Sequence, residues 1–101
     1  MLFTYILNKD ELPTRLLYSP ILSRLEKYDQ ENGTELFKTL QSYIKNNLNA
    51  VQTVKKLFIH RSTMIYRLER IKEIGRTDLK NTDELLHIQL SLRLSNFDNE
   101  F

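Results

Sequence analysis

The chain has 101 residues, 41% of them hydrophobic, which suits one compact domain and leaves no room for a second domain of similar size beside it. Two glycines, two prolines and no cysteine argue against disorder and exclude disulfides and thiolate chemistry. The formal net charge of +2 is unevenly distributed, because residues 51–76 hold seven basic and two acidic side chains whereas residues 77–101 hold two basic and five acidic ones. A local basic segment is typical of chains that bind phosphate backbones, although a solvated helical face has the same composition.

The apolar run from Leu2 to Leu7 opens the sequence, and it fits either a strand or the end of a longer helix. A short helix around Leu12, Leu16 and Leu17 would follow it. The run has no basic leader and is too short to span a bilayer, so neither export nor membrane insertion is indicated. We therefore expect a cytoplasmic chain with no membrane partner.

The next helix has a clear start, with Ser19 as N-cap and Pro20 at the first helical position. Its apolar face consists of Ile21, Leu22, Leu25 and Tyr28. The turn-forming sequence at residues 32–34 ends it. We divide the chain at this turn into an N-terminal helical segment, residues 1–31, which would form the junction to upstream domains, and a main domain, residues 32–101.

Two further helices are predicted between residues 36 and 57. The apolar residues of the first recur at helical spacing and are Leu36, Phe37, Leu40, Tyr43, Ile44 and Leu48. Asn46 and Asn47 mark its end, and Asn49 with Gln52 forms an N-terminal capping arrangement for the second helix. The residues expected to face inward from the second helix are Ala50, Val51, Val54 and Leu57.

Residues 57–60 are too few to be anything but a turn, because a new amphipathic series begins at once with Met64, Leu68 and Ile71 and closes at Gly75. Two helices joined by a turn of about four residues form a helix-turn-helix. The second of them, about residues 61–74, is basic on the side away from the core, which is unusual in an ordinary antiparallel helix pair. The predicted fold is therefore an all-α domain that contains a helix-turn-helix motif.

The apolar residues of the last segment alternate as in a strand, and they are Leu86, Ile88, Leu90, Leu92 and Leu94. An N-terminal capping pair, Asn81 and Glu84, and a composition rich in leucine nevertheless favour a helix. Its stripe would be Leu86, Leu90, Leu94 and Phe97. A helix that is apolar on several sides should be packed between neighbours or used as a contact surface.

Residues 60–71 read His-Arg-Ser-Thr-Met-Ile-Tyr-Arg-Leu-Glu-Arg-Ile, which resembles the His-Arg-Asn-Thr-Leu-x-Tyr-Arg-Leu-x-x-Ile signature of PucR-type transcriptional regulators. The resemblance covers about residues 28–95, with further matches at Tyr28-Asp29, Thr34-Glu35-Leu36, Thr39-Leu40, Tyr43-Ile44, Asn49, Thr53, Leu57, Asp78-Leu79 and residues 86–94. It implies the C-terminal helix-turn-helix domain of a bacterial regulator, from the group that includes purine-catabolism and sugar-diacid regulators. In that group sensory domains lie upstream, so a small-molecule inducer is expected only on those domains.

Five positions depart from the family pattern. Ser62 stands in place of Asn and Ile65 in place of Arg, which is expected to change sequence preference. Val51 replaces a small capping residue and Val54 an alanine, which is expected to change packing. Gly75 falls one residue before the usual glycine, which leaves the end of the recognition helix undetermined.

A recognition helix that begins at Arg61 presents its first residues to base edges. The candidate base contacts are Arg61, Ser62 and Ile65, with Arg61 suited to guanine and Ile65 to a thymine methyl group. An ordinary surface arginine and a lone exposed apolar residue are the alternatives for Arg61 and Ile65. The candidate backbone contacts are Asn49, Thr53, Lys56, His60, Thr63, Tyr66, Arg67 and Arg70. Thr63 can instead satisfy amides at the helix start, and Tyr66 can instead bury its ring.

Double-stranded DNA is the expected partner. Because one recognition helix reads only a few base pairs, we expect the full-length regulator to be a homo-oligomer. Its candidate self-association surfaces are the run from Leu2 to Leu7 and the final helix, and we favour the first of these. The sequence contains no catalytic constellation and no cofactor loop, and two histidines without cysteine indicate no metal site, so no enzyme is expected. The alternatives are a helical protein-interaction module without DNA binding and, more distantly, a stem-loop RNA binder, which would need an aromatic stacking platform.

Overall fold

The computed structural model describes residues 18–99, and the side chains of residues 18–94. Within this part of the chain the elements are α1 (Pro20–Asn32), α2 (Leu36–Lys45), α3 (Ala50–Leu57), α4 (Arg61–Gly75) and α5 (Thr82–Asn99). The predicted all-α fold is confirmed, since residues 18–99 contain no strand. The run Leu2 to Leu7 and the helix expected around Leu12, Leu16 and Leu17 lie outside the described residues. None of the helices between residues 18 and 99 has the length and hydrophobicity needed to cross a membrane.

Three helices begin at the side-chain caps that the sequence predicts. The hydroxyl group of Ser19 accepts a hydrogen bond from the Ile21 N–H at 3.2 Å. The side-chain oxygen of Asn49 accepts one from the Gln52 N–H, and that of Asn81 accepts one from the Glu84 N–H, each at 3.0 Å. These bonds satisfy amides that have no partner within a helix, which fixes where α1, α3 and α5 start.

Helix α2 is capped by a residue from the preceding helix. Its own N-cap residue, Glu35, makes no side-chain cap bond. Instead the carboxylate of Asp29, in the last turn of α1, accepts hydrogen bonds from the N–H groups of Leu36 and Phe37, each at 2.9 Å. One carboxylate therefore satisfies two α2 amides and ties the end of α1 to the start of α2.

The core lies where α1, α2 and α4 meet, with α1 packed on α2 and α4, and α2 also packed on α3 and α4. Its buried apolar residues are Ile21, Leu22, Leu25, Leu36, Leu40, Ile44, Ile71, Leu79, Ile88 and Leu92. Helix α5 joins this core through Ile88 and Leu92. It is also tied to the start of α1, because the Ser19 N–H donates to the Ser91 hydroxyl at 2.8 Å and that hydroxyl donates to the His87 carbonyl at 2.8 Å.

The exit of α4 differs from the expectation that Gly75 closes the helix. Gly75 is the last helical residue, and Arg76 takes the left-handed C-cap position with φ +57°. The Arg76 N–H donates to the Lys72 carbonyl, as a cap residue should. Gly75 instead allows α4 to pack closely on α1, since a Cβ there would lie 3.0 Å from the Ile21 Cγ2. The sequence thus identified the correct region but assigned the cap one residue too early.

Candidate nucleic-acid interface

Helices α3 and α4 form the helix-turn-helix, joined by residues 58–60. Phe58 ends α3 in the left-handed region, with φ +55°, and its N–H donates to the Val54 carbonyl. His60 is extended and makes no side-chain cap bond, and α4 starts directly after it at Arg61. The predicted recognition helix is confirmed as a helix, one residue longer than expected at its C-terminal end.

The inward faces of the two helices are not equally well predicted by sequence. On α4 Met64 and Ile71 are buried, as expected. On α3 the expectation that Ala50 and Val51 face inward is wrong, because both are exposed and Val51 retains 64% of its surface. The buried residue of α3 is Thr53, at 0% exposure. Its burial is tolerated because the hydroxyl group donates a hydrogen bond to the Asn49 carbonyl at 2.8 Å.

This burial removes Thr53 from the candidate DNA contacts. A side chain with no accessible surface and its one donor already used cannot reach a phosphate group. Asn49 remains exposed at the start of α3, although its side-chain oxygen is engaged by the Gln52 N–H. The NH₂ group of the Asn49 side chain has no hydrogen-bond partner among the described residues, so it can donate to a phosphate oxygen.

The first two turns of α4 expose Arg61, Ser62, Ile65 and Tyr66. Thr63 is half-buried beside them, and His60 is exposed at the end of the turn. All three candidate base contacts therefore lie on the accessible side of one helix start, as a reading surface requires. The alternative that Tyr66 buries its ring does not hold, since the residue keeps 62% of its surface.

A shallow, mostly apolar groove runs between α3 and α4 beside this surface. It is lined by Ala50, Val51, Val54, Lys55, Arg61, Met64, Ile65 and Leu68. The exposed methyl groups of Val51 and Ile65 face this groove together, so Ile65 is part of an apolar patch and not an isolated exposed residue. Such a patch next to a cationic guanidinium group matches the mixture of methyl groups and acceptors in a major groove.

The positive charge of α4 is concentrated in its N-terminal half. Arg61 opens the helix, whereas the exposed side chains of its third and fourth turns include Glu69 and Glu73. The same turns also hold Arg70 and Lys72, and Arg70 lies 3.5 Å from Glu73, so the C-terminal half of α4 has no net charge, whereas the charged side chains of its N-terminal half are all basic.

Arg67 and Arg70, both expected to contact the DNA backbone, are engaged within the fold. The Nη1 of Arg67 donates to the Thr39 hydroxyl of α2 at 3.0 Å. The Nη2 of Arg70 donates to the Tyr28 hydroxyl of α1 at 2.6 Å, and its guanidinium lies 5.3 Å from the centre of the Tyr28 ring. That hydrogen bond raises the pKa of the Arg70 guanidinium. The two arginines thus connect α4 to α1 and α2.

Lys56 lies in a group of cations that the sequence analysis did not detect. It lines a surface groove between α2 and α3 together with Lys38 and Lys45 of α2. The net charge of residues 1–50 gave no sign of this group, because acidic side chains elsewhere in the segment balance Lys38 and Lys45. Spacing within α2 was the available signal, since residues seven apart lie on the same helix face.

Among the described residues, no three His, Asp or Glu side chains come together as metal ligands.

Comparison with known sequences gives one family and several regulators. The PucR C-terminal helix-turn-helix domain family matches residues 36–94. The chain is 41% identical to the carbohydrate diacid regulator of Escherichia coli over 73 residues, which are 72% of the chain and 18% of that protein. It is 37% identical to the DNA-binding transcriptional activator AdeR of Bacillus subtilis over 81 residues, 80% of the chain and 19% of that protein.

A third relative is the purine catabolism regulatory protein of Bacillus subtilis, 34% identical over 77 residues, which are 76% of the chain and 14% of that protein. The chain thus spans less than a fifth of the length of these relatives. No solved structure matches it significantly.

Proposed function

Because this chain belongs to the PucR C-terminal helix-turn-helix family, a family of DNA-binding transcriptional regulators, we propose that it binds duplex DNA sequence-specifically by inserting the N-terminal half of α4 into the major groove. The observation that carries this proposal is the exposed start of α4, where Arg61, Ser62 and Ile65 share one accessible surface directly after the turn. The charged side chains of the N-terminal half of α4 are all basic, whereas the half that contains Glu69 and Glu73 has no net charge, and this favours an orientation in which the first two turns lie deepest.

Within this orientation, Arg61 reads guanine through two parallel hydrogen bonds and Ile65 contacts a thymine methyl group. Ser62 supplies a hydroxyl that can donate to or accept from a base edge. Val51 extends the apolar contact from α3, since it lines the same groove as Ile65.

The proposed backbone contacts are the exposed polar residues around this surface, namely Asn49, Lys56, His60 and Tyr66, with Thr63 at the helix start. Lys56 acts with Lys38 and Lys45, so the phosphate-binding surface reaches α2. We assign Arg67 and Arg70 a different role, because their hydrogen bonds to Thr39 and Tyr28 hold α4 in position.

The remainder of the proposal concerns the complete regulator. The relatives are regulators several times longer than this chain, so we propose that an inducer binds to upstream domains and that the domain described here supplies the DNA-binding output, without an enzymatic activity of its own. Since one recognition helix reads only a few base pairs, we propose that two copies bind adjacent half-sites about one helical turn apart.

Fluorescence anisotropy with labelled duplexes tests the DNA-binding surface. We expect micromolar or weaker nonspecific binding that falls steeply as salt rises, because cations on the protein displace counterions from DNA. On a selected site, Arg61→Ala should lose about 1–3 kcal/mol and relax preference at one base pair. Lys56→Ala should weaken binding to all sequences alike and reduce the salt dependence.

Lys27→Ala, an exposed lysine of α1, is the matched control and should leave both kinds of binding unchanged. If Arg61→Ala lowers specific and nonspecific binding by the same factor, Arg61 contacts phosphate and not a base. Affinity that does not change with salt would instead favour the second candidate function, a protein-interaction module that uses the apolar groove of Val51 and Ile65.

A further inference from the structure

Helix α5 has two apolar faces on opposite sides. Ile88 and Leu92 are buried in the core, whereas Leu86 and Leu90 keep 52% and 39% of their surface. At about 100° per residue, the exposed pair points away from Ile88 by roughly 160–200° around the helix axis. The core of the described residues therefore accounts for one face of α5 and leaves the other uncovered.

The uncovered face carries a regular pattern of charges as well as leucines. Asp83, Leu86, Leu90 and Arg93 are separated by three, four and three residues, and Asp83 and Arg93 are both exposed. This spacing places all four within an arc of about 80°, the arrangement of the contact positions of a coiled coil. We call these four residues the outer α5 stripe.

We propose that the outer α5 stripe pairs with the same stripe of a second copy of this chain, in antiparallel orientation about a two-fold axis. A two-fold axis that crosses α5 at the level of Ile88 places Leu86 of each copy opposite Leu90 of the other. The same axis places Asp83 of each copy opposite Arg93 of the other, so both ends of the contact carry an ion pair. A two-fold contact must be self-complementary, and this stripe meets that condition in apolar content and in charge.

The charges also exclude the parallel arrangement. In a parallel pair each residue faces its own counterpart, so Asp83 would face Asp83 and Arg93 would face Arg93, and both contacts would be repulsive. The stripe is small, with two leucine contacts and two exposed ion pairs, so we expect a weak dimer in solution. When two copies are held on neighbouring half-sites, even a weak contact becomes effective because their local concentration is high.

Charge reversal tests the pairing, using the complete 101-residue chain without DNA. Sedimentation equilibrium up to millimolar concentration measures the dimer dissociation constant. Asp83→Lys and Arg93→Glu should each raise it by about tenfold, because each variant places like charges together at both ends. The double variant should restore the wild-type value, and so should an equimolar mixture of the two single variants.

Crosslinking supplies a second measurement, since the chain has no cysteine of its own. A mixture of Asp83→Cys and Arg93→Cys chains should be joined by a short thiol-to-thiol crosslinker. Chains of the Asp83→Cys variant alone should not be crosslinked, because the two copies of residue 83 would lie about 15 Å apart along the helix axis, and the same holds for Arg93→Cys alone. Glu31→Lys and Lys80→Glu, exposed residues outside the stripe, make the same charge changes and should leave the dissociation constant unchanged.

A wild-type chain that remains monomeric at millimolar concentration would overturn the proposal. The proposal would also be overturned if the single charge-reversal variants had the dissociation constant of the wild type, because that result requires parallel pairing or a different surface. A dimer that persists unchanged in the exposed-leucine variant Leu86→Ser with Leu90→Ser would also overturn it, and would place self-association on a different surface. Since every measurement is made without DNA, failure here leaves the DNA-binding proposal intact.

Discussion

Replacing Gly75 by alanine reverses what helix propensity alone predicts. Alanine at a helical glycine ordinarily stabilises a protein by about 1 kcal/mol. Here the added Cβ would lie 3.0 Å from the Ile21 Cγ2, in a region where Ile21 is only 4% exposed. Overpacking of a buried contact typically costs about 1–3 kcal/mol, so we expect Gly75→Ala to destabilise the domain by about 1 kcal/mol, measured by urea denaturation.

A double-mutant cycle tests whether that contact is the cause. Ile21→Leu removes the Cγ2 methyl group that the new Cβ would meet, so Gly75→Ala should be less harmful in that background. Gly33→Ala is a second control, because nothing lies within 4 Å of a Cβ there and its cost comes only from φ +64°. Stabilisation by Gly75→Ala in the wild-type background would refute the reasoning.

The adjacent Arg76 should respond in the opposite direction. It adopts φ +57°, a conformation that costs a residue with a Cβ about 1–2 kcal/mol and costs glycine little. Glycine also makes the unfolded chain more flexible, which offsets about 0.5–1 kcal/mol of this gain. Arg76→Gly should therefore stabilise the domain by about 0.5–1 kcal/mol and raise Tm by about 2–6 °C.

Three further substitutions test separate parts of the structure. Asp29→Ala removes the acceptor for two α2 amides and should cost about 1–3 kcal/mol in urea denaturation, whereas the exposed Glu31→Ala should cost little, and equal effects would contradict the capping role. Thr53→Val should destabilise by about 1 kcal/mol yet leave the DNA affinity of the folded protein unchanged, and a weaker affinity for all sequences would return Thr53 to the phosphate contacts. Glu69→Gln should tighten nonspecific DNA binding by about two- to fivefold at low salt and have little effect at high salt, and no change at low salt would mean that α4 does not lie against DNA at this point.

The features that the sequence predicted correctly depend on local interactions. Ser19, Asn49 and Asn81 cap helices because a short polar side chain reaches an amide two or three residues away. The start of α4 at Arg61 follows from the same kind of information, namely where one amphipathic series stops and the next begins.

The features that the sequence did not predict depend on contacts between helices. Asp29 gave no local signal that it caps α2, since its partners are seven and eight residues away. Thr53 is polar and was assigned to the surface, although one hydrogen bond to the Asn49 carbonyl makes its burial inexpensive. The last segment was correctly predicted as a helix, but the sequence did not show which of its apolar faces is buried: Ile88 and Leu92 lie in the core, whereas Leu86 and Leu90 are exposed.

Under the proposed function, the two halves of α4 have different tasks. The first two turns expose Arg61 and Ile65, while Arg67, Arg70 and Gly75 fix the rest of the helix against α2 and α1. A reading surface must be held to within a fraction of an ångström to distinguish bases, and an isolated helix end cannot supply that precision. The bonds to Thr39 and Tyr28 act at two successive turns, so they restrain rotation of α4 about its axis as well as its tilt. Loss of either bond should therefore reduce discrimination between sites more than it reduces nonspecific affinity, because phosphate contacts tolerate small displacements that hydrogen bonds to base edges do not.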